Sequence, residues 1–177
     1  METINVGASP GDHTGDLWRD AMIKTNSNFA ELAGLDAAKG GLVSLSANAT
    51  ETVIATISTP VAITGTWQPE ESASFSTDAT GKMTYTGTAT VGFAVDANAA
   101  IEAAGGTNKD IRAYLAVNGA IVARSGRTAK VGAGDPRNVS IPWFVELAPN
   151  DYLQFFAENN TDTTNLIAID AALRVIG

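Results

Sequence analysis

From about residue 41 onward the chain alternates apolar and polar positions in short runs broken by turn residues, the period of half-buried strands. Val53, Ala55 and Ile57 alternate with Thr52, Ile54 and Thr56. Residues 111–117 alternate again, and Asn118-Gly119 directly after them is the strongest hairpin signal in the chain, with Ala120 to Arg124 as the returning strand. Val139 to Leu147 and Tyr152 to Glu158 flank Ala-Pro-Asn-Asp, in which Pro149 presets φ and Asn150 or Asp151 can close the reversal. Leu166 to Ile176 reads as a long final strand. Gly81, Gly87, Gly105, Gly106, Gly126 and Gly132 punctuate the rest. Ala97 to Ala104 reads as a loop or a single turn, and Glu70-Glu71 as part of a loop. Many short strands with regular turn signals predict an antiparallel β-sandwich over residues 41–177.

The first 40 residues follow a different rule. Residues 1–15 are irregular, with glycines at 7, 11 and 15 and Pro10, and read as an extended arm. Asp16 can accept bonds from the first free N–H groups of a helix, so it is a good N-cap. Trp18, Met22, Thr25, Phe29 and Leu32 then recur at intervals of 4, 3, 4 and 3. That is a heptad seam, narrower than the stripe of a helix lying on a globular core. A lone helix of ~17 residues is marginal in water, so the seam needs a partner. The simplest partner is the same helix of another copy; the alternative is the chain's own sandwich. Residues 33–40 connect the helix to the strands.

Composition narrows the partners. The chain has 177 residues, 45% of them hydrophobic but only 7% aromatic, enough for one small-residue β core. Its formal charge of −8 disfavours nucleic acid and anionic lipid. The local exception is Arg124, Arg127, Lys130 and Arg137, opposed there only by Asp135. There is no cysteine, which removes disulfides and thiolate chemistry. No basic n-region with an apolar h-region opens the sequence, and no apolar run is long enough to span a bilayer. A soluble protein is expected.

The chemistry is thin. His13 is the single histidine, in a glycine-rich segment with no scaffold around it. Asp12, Thr14 and Asp16 have the opening spacing of a calcium loop, but Leu17 stands where its glycine belongs and no glutamate closes it. The glycines at 7, 11 and 15 lack the Lys-Ser/Thr of a phosphate cradle. Asp96, Asp110, Asp162 and Asp170 are expected near strand ends or turns, as solvated surface charges. No enzyme, metal or cofactor is expected.

The opening stretch resembles a segment near the N-terminus of many tailed-bacteriophage virion proteins, particularly tail and head fibres. The resemblance is carried by Ile4-Asn5-Val6-Gly7, Thr14-Gly15-Asp16, Arg19, Ala21, Lys24, Asn26, Asn28-Phe29 and Glu31-Leu32. The sequence departs from that pattern at His13, where glycine is usual, and at Trp18, Met22 and Thr25, which change the volume of the seam. Residues 42–177 resemble the trimeric jelly rolls of the tumour-necrosis-factor and complement globular-head type. Residues 81–87, 113–119 and 147–152 and the terminal strand carry that likeness.

Together the resemblances imply a homotrimeric antiparallel jelly-roll sandwich behind an arm and a short helix. They imply a virion protein on the capsid surface, a decoration or head-fibre protein held by the major capsid protein or another virion protein. Ile4, Val6, Gly7, Asp12, Gly15, Asp16 and Arg19 are then the anchoring residues. Trp18, Met22, Thr25, Phe29 and Leu32 form the trimer helix. Tyr152, Phe155 and Phe156 are expected at the trimer axis of the sandwich, although alternation sends Phe155 and Phe156 to opposite faces. The alternative is a small tail-fibre or receptor-binding tip, reading a host surface glycan or protein through residues 105–110, 125–138 and 159–164.

Overall fold

The computed structural model describes residues 3, 4, 20–26, 28 and 39–177. The chain divides into two units, Met1–Ala38 and Lys39–Gly177. In the first, residues 20–26 and 28 are helical, and Met22 and Ile23 are exposed. Thr25 Oγ1 donates to the Ala21 carbonyl one turn back, at 2.8 Å, which is how a threonine satisfies its hydroxyl inside a helix. Val6, Gly7, Asp12, His13, Gly15, Asp16, Trp18, Arg19, Phe29 and Leu32 lie outside the described residues.

The second unit is a sandwich of two antiparallel sheets, its strands numbered here in chain order. The five-stranded sheet runs β10 (Arg137–Leu147), β6 (Val91–Ala103), β12 (Leu166–Ile176), β1 (Gly40–Leu45) and β3 (Gln68–Ala73). The seven-stranded sheet runs β4 (Phe75–Thr77), β5 (Met83–Tyr85), β11 (Tyr152–Asn159), β7 (Lys109–Val117) and β8 (Ala120–Ile121). Two further strands complete it: β2 (Val61–Ala62) on β11 and β9 (Arg127–Val131) on β7.

Alternation builds the core. Val43, Phe93, Val95, Ile101, Ile141, Leu173 and Val175 point inward from the first sheet, and Met83, Tyr85, Ile111, Leu115, Leu153 and Phe155 from the second. Phe75, Tyr85 and Phe93 form a three-ring cluster, with centroids 5.1 to 5.5 Å apart, that joins the two sheets. Edge and tilted ring contacts of this kind add to the area they bury. Gly87 leaves room for the cluster: a Cβ there would stand 2.0 Å from Tyr85 Oη.

The predicted strands at 111–117, 139–147, 152–158 and 166–176 all form. Asn118 and Gly119 both take positive φ, 52° and 75°, as the two-residue hairpin turn requires. Four expectations are corrected. Residues 97–103 continue β6 instead of looping, because Ala97, Ala99, Ile101 and Ala103 face the core while Ala94, Asp96 and Asn98 face out. Alanine on both faces hides that period. Glu70 and Glu71 lie in β3, an exposed edge strand whose charges discourage further pairing.

Residues 52–57 make only one bridge, Thr52 with Leu166, since no free sheet edge meets them. Ile54 is buried there, with its N–H given to the Asn165 side chain at 3.0 Å. The strand after Asn118-Gly119 stops at Ile121 and turns through a short 3-10 helix, Ala123–Ser125. The Ser125 hydroxyl takes over, accepting from the Leu115 N–H at 2.9 Å and donating to the Val122 carbonyl at 2.7 Å.

Truncating Phe93 to alanine opens the ring cluster and is expected to cost about 3–5 kcal/mol of unfolding free energy. Urea denaturation measures it. Gly87→Ala, which must push the Tyr85 phenol aside, should destabilise in the same direction, whereas Ser76→Ala, exposed in β4, should stay within about 0.5 kcal/mol of wild type.

Candidate functional site

β11 separates the residues assigned to the trimer axis. Phe155 is 1% exposed and packs between the sheets, so it is a core residue and is not available to a neighbouring subunit. Tyr152 and Phe156 face outward with Gln154 and Glu158, both half-buried by residues of their own sheet. Phe156 stands opposite Tyr114 and Ala62 in register. Tyr114 Oη donates to Glu158 Oε1 at 2.6 Å, and the Arg112 guanidinium lies 5.0 Å from the Tyr114 ring. Burial pushes the Tyr114 phenol up, and the Glu158 hydrogen bond and charge add to it against the opposing Arg112. Gly126 sits over Arg112 so closely that a Cβ would be 2.3 Å from its Nε. Lys82 Nζ is 5.0 Å from the Tyr152 ring.

The outer face of the five-stranded sheet is different in kind. It presents Ala94, Asn98, Ala100, Ser140 and Ala172, small residues from neighbouring strands. At one end Phe144, Ala94, Ile176 and Gly40 line up across four strands in register. Phe144 is 64% exposed and Ile176 50% exposed. The Phe144 ring leans over Gly92, where a Cβ would be 2.4 Å from its Cζ. Sequence reading missed both residues. The signal was there: Phe144 is out of phase with Val139, Ile141, Val145 and Leu147, so it must face outward.

The three loop segments expected to share a recognition surface do meet, at the end of the sandwich away from Gly40. Asp110 N–H donates to Thr161 Oγ1 at 2.8 Å, Asn160 N–H to the Asp110 carbonyl at 2.7 Å, and Ala133 N–H to the Gly106 carbonyl at 2.9 Å. Lys109 pairs with Asp162. Between the first two segments lies a groove of about 740 Å³. The basic stretch is built on two strands, with Arg127 and Lys130 in β9 and Arg137 at the start of β10. Arg127 and Lys130 sit toward opposite ends of β9, paired with Ala113 and Asp110. Lys130 is matched by Asp110 at 3.5 Å, a partner the sequence did not reveal, and Arg137 by Asp135 at 2.9 Å. Arg127 donates to the carbonyls of Arg124, Ser125 and Gly126.

The scattered aspartates resolve into separate duties. Asp96 and Asp170 lie within strands rather than at their ends, facing solvent. Asp78 organises the turn before β5, accepting from the Thr80 amide and hydroxyl and the Lys82 amide. Among the described residues no three His, Cys, Asp or Glu side chains are placed to hold a metal ion. None of the described helical segments is long and apolar enough to cross a membrane.

Solved structures that share this arrangement include the following two. Murine APRIL at pH 5.0 matches with a TM-score of 0.50 at 9% identity, over 78% of this chain and 98% of that one. The PRD1 vertex protein P5 matches with a TM-score of 0.50 at 6% identity, over 79% of this chain and 96% of that one. The fold is a tumour-necrosis-factor-like jelly roll. No protein-family model and no curated protein sequence matches the chain.

Two carboxyls of this jelly roll contribute to its acid response. Burial raises the Asp78 carboxyl, but its bonds from Thr80 and Lys82 and the Lys82 charge outweigh burial and hold it below its ordinary value. The Lys109 hydrogen bond, then those of Thr164, hold Asp162 well below the usual carboxylate range. A depressed carboxyl contributes stability above the unfolded value, about pH 4, and loses it as pH falls through the folded value. The urea midpoint of the wild-type chain should therefore fall below about pH 4. The double variant Asp78→Asn, Asp162→Asn should start lower at neutral pH and fall less.

Proposed function

We propose that this chain is a structural protein of a tailed-bacteriophage virion, a homotrimer that decorates the outer surface of the head as a decoration or short head-fibre protein. The observation that carries the reading is a combination: a fibre-type N-terminal segment, Ile4 to Leu32, joined to a jelly roll with the fold of a phage vertex protein. In this reading Ile4, Val6, Gly7, Asp12, Gly15, Asp16 and Arg19 anchor the arm to the major capsid protein or another virion protein. Trp18, Met22, Thr25, Phe29 and Leu32 zip three helices together.

Within the strands of the sandwich, Phe144 and Ile176 are the large apolar side chains left exposed. The face beside Gly40 is the row of Phe144, Ala94 and Ile176. We therefore assign the sandwich's share of the trimer contact to the outer face of the five-stranded sheet, in place of β11. Small residues let the sheets approach, and the exposed Phe144 and Ile176 supply apolar area. Three weak anchors on one rigid trimer add to a durable attachment. No catalysis enters this mechanism.

A second reading, a small tail-fibre or receptor-binding tip, draws on the meeting of three loop segments at one end of the sandwich. Gold-labelled antibody on intact particles separates the two. Label at repeated positions over the head supports decoration, and label only at the tail supports the tip.

Light scattering should give a solution mass near three times 18.2 kDa; a monomer at micromolar concentration refutes the trimer. Phe144→Asp should raise the trimer dissociation constant at least tenfold with the far-ultraviolet spectrum unchanged. Phe29→Asp with Leu32→Asp should weaken the trimer in the same way while leaving the sandwich's urea transition in place.

A further inference from the structure

We infer that the groove at the loop end of the sandwich binds a neutral oligosaccharide, with Asp135, Arg137, Asn108 and Asn138 reading its hydroxyls. These are the loops through which the second reading has a tip recognise a host surface glycan, and the inference rests on that reading; the site lies within one subunit, so it does not depend on the trimer.

Charge comes first. Each cation at this groove already has a carboxylate beside it, Arg137 with Asp135 at 2.9 Å and Lys130 with Asp110 at 3.5 Å. An anionic ligand brought to either cation meets a carboxylate, and a cationic one meets a cation. An uncharged ligand escapes both penalties.

Hydrogen bonding narrows the class further. A sugar hydroxyl donates one bond and accepts others, so a site that reads it must offer donors and acceptors together. Asp135 spends one oxygen on Arg137, and Arg137 spends one nitrogen on Asp135, which leaves an acceptor and several N–H donors side by side. Asn48, Asn118, Asn159 and Asn165 commit their amides to stapling loops. The side chains of Asn108 and Asn138, both on this groove, make no such bond.

The framework is set before any ligand arrives. Ala103 N–H donates to the Gly132 carbonyl at 3.3 Å, Ala133 N–H to the Gly106 carbonyl at 2.9 Å, and Gly134 N–H to Glu102 Oε2 at 3.0 Å. Binding therefore orders little backbone, which keeps its entropic cost low. Val131 and Gly132 form a buried, apolar floor for the C–H face of a ring, and about 740 Å³ lies within the range of small-molecule sites. No aromatic ring lines the groove, so a single site is expected to bind with a dissociation constant on the order of 1 mM. The groove also lies at the far end of the strands from Gly40, β12 spanning about 35 Å between the two.

The test uses the full chain, fluorescently labelled, on an array of neutral hexose and N-acetylhexosamine oligosaccharides beside uronate-containing ones. Retention on neutral glycans is expected, unchanged when sodium chloride is raised to about 0.5 M, where charge-driven contacts are screened. Asp135→Ala and Asn138→Ala, both exposed and with folding checked by circular dichroism, should each lower the signal about tenfold or more. The Gly132 and Gly134 amides should shift when the best neutral glycan is titrated in an NMR experiment. The inference is overturned by retention on no neutral glycan, by retention on uronates alone that salt abolishes, or by neutral retention that both variants leave intact.

Discussion

Three aromatic rings hold the two sheets of this domain at their working distance. Phe75 and Tyr85 come from one sheet and Phe93 from the other, and their ring contacts bridge the space between the sheets. Once that separation is set, the period of two in each strand decides every outward-facing residue. Phe155 is drawn into the core by this rule and Phe156 is turned out. The same rule puts Phe144 in solvent between half-buried Trp143 and buried Val145, and leaves apolar area exposed on the outer face of the five-stranded sheet.

Fold class was legible because the strongest local signals agree with the global packing. Asn118-Gly119 wants a tight hairpin turn and sits between β7 and β8, which pair there; Pro149 and Asn150 turn the chain from β10 in one sheet to β11 in the other. What escaped reading had a physical cause in each case. Residues 97–100 put alanine on both faces, Ala97 and Ala99 inward and Ala100 outward, so hydrophobicity there does not distinguish them. Residues 52–57 alternate convincingly, but periodicity records only which face is apolar and not whether a neighbouring strand is there to pair. Ser125 replaces strand pairing with one side-chain hydroxyl, a substitution that no period reveals.

The candidate sites were less legible than the fold. Spacing along the chain shows Asp135 beside Arg137 but not Asp110, which the pairing of β7 with β9 brings to Lys130. Likewise, segments 105–110 and 159–164 are distant in sequence and share hydrogen bonds in space. Recognition surfaces of this kind are tertiary properties; a sequence gives their parts without their adjacency. The resulting sandwich is polar along its strands, with the junction to the arm at one end and the stapled loops at the other.

Gly177 N–H donates to the Lys39 carbonyl at 2.8 Å, so the sandwich closes on itself at the corner where it begins. The domain therefore suits circular permutation: a short bridge across that corner and new ends opened at an exposed hairpin such as Asn118-Gly119 would cut few core contacts. Cargo fused after Gly177 leaves beside the incoming linker and keeps clear of the stapled loops. A passenger meant for display on a particle belongs instead at the loop end, in the 132–135 turn, at the expense of the groove it would fill.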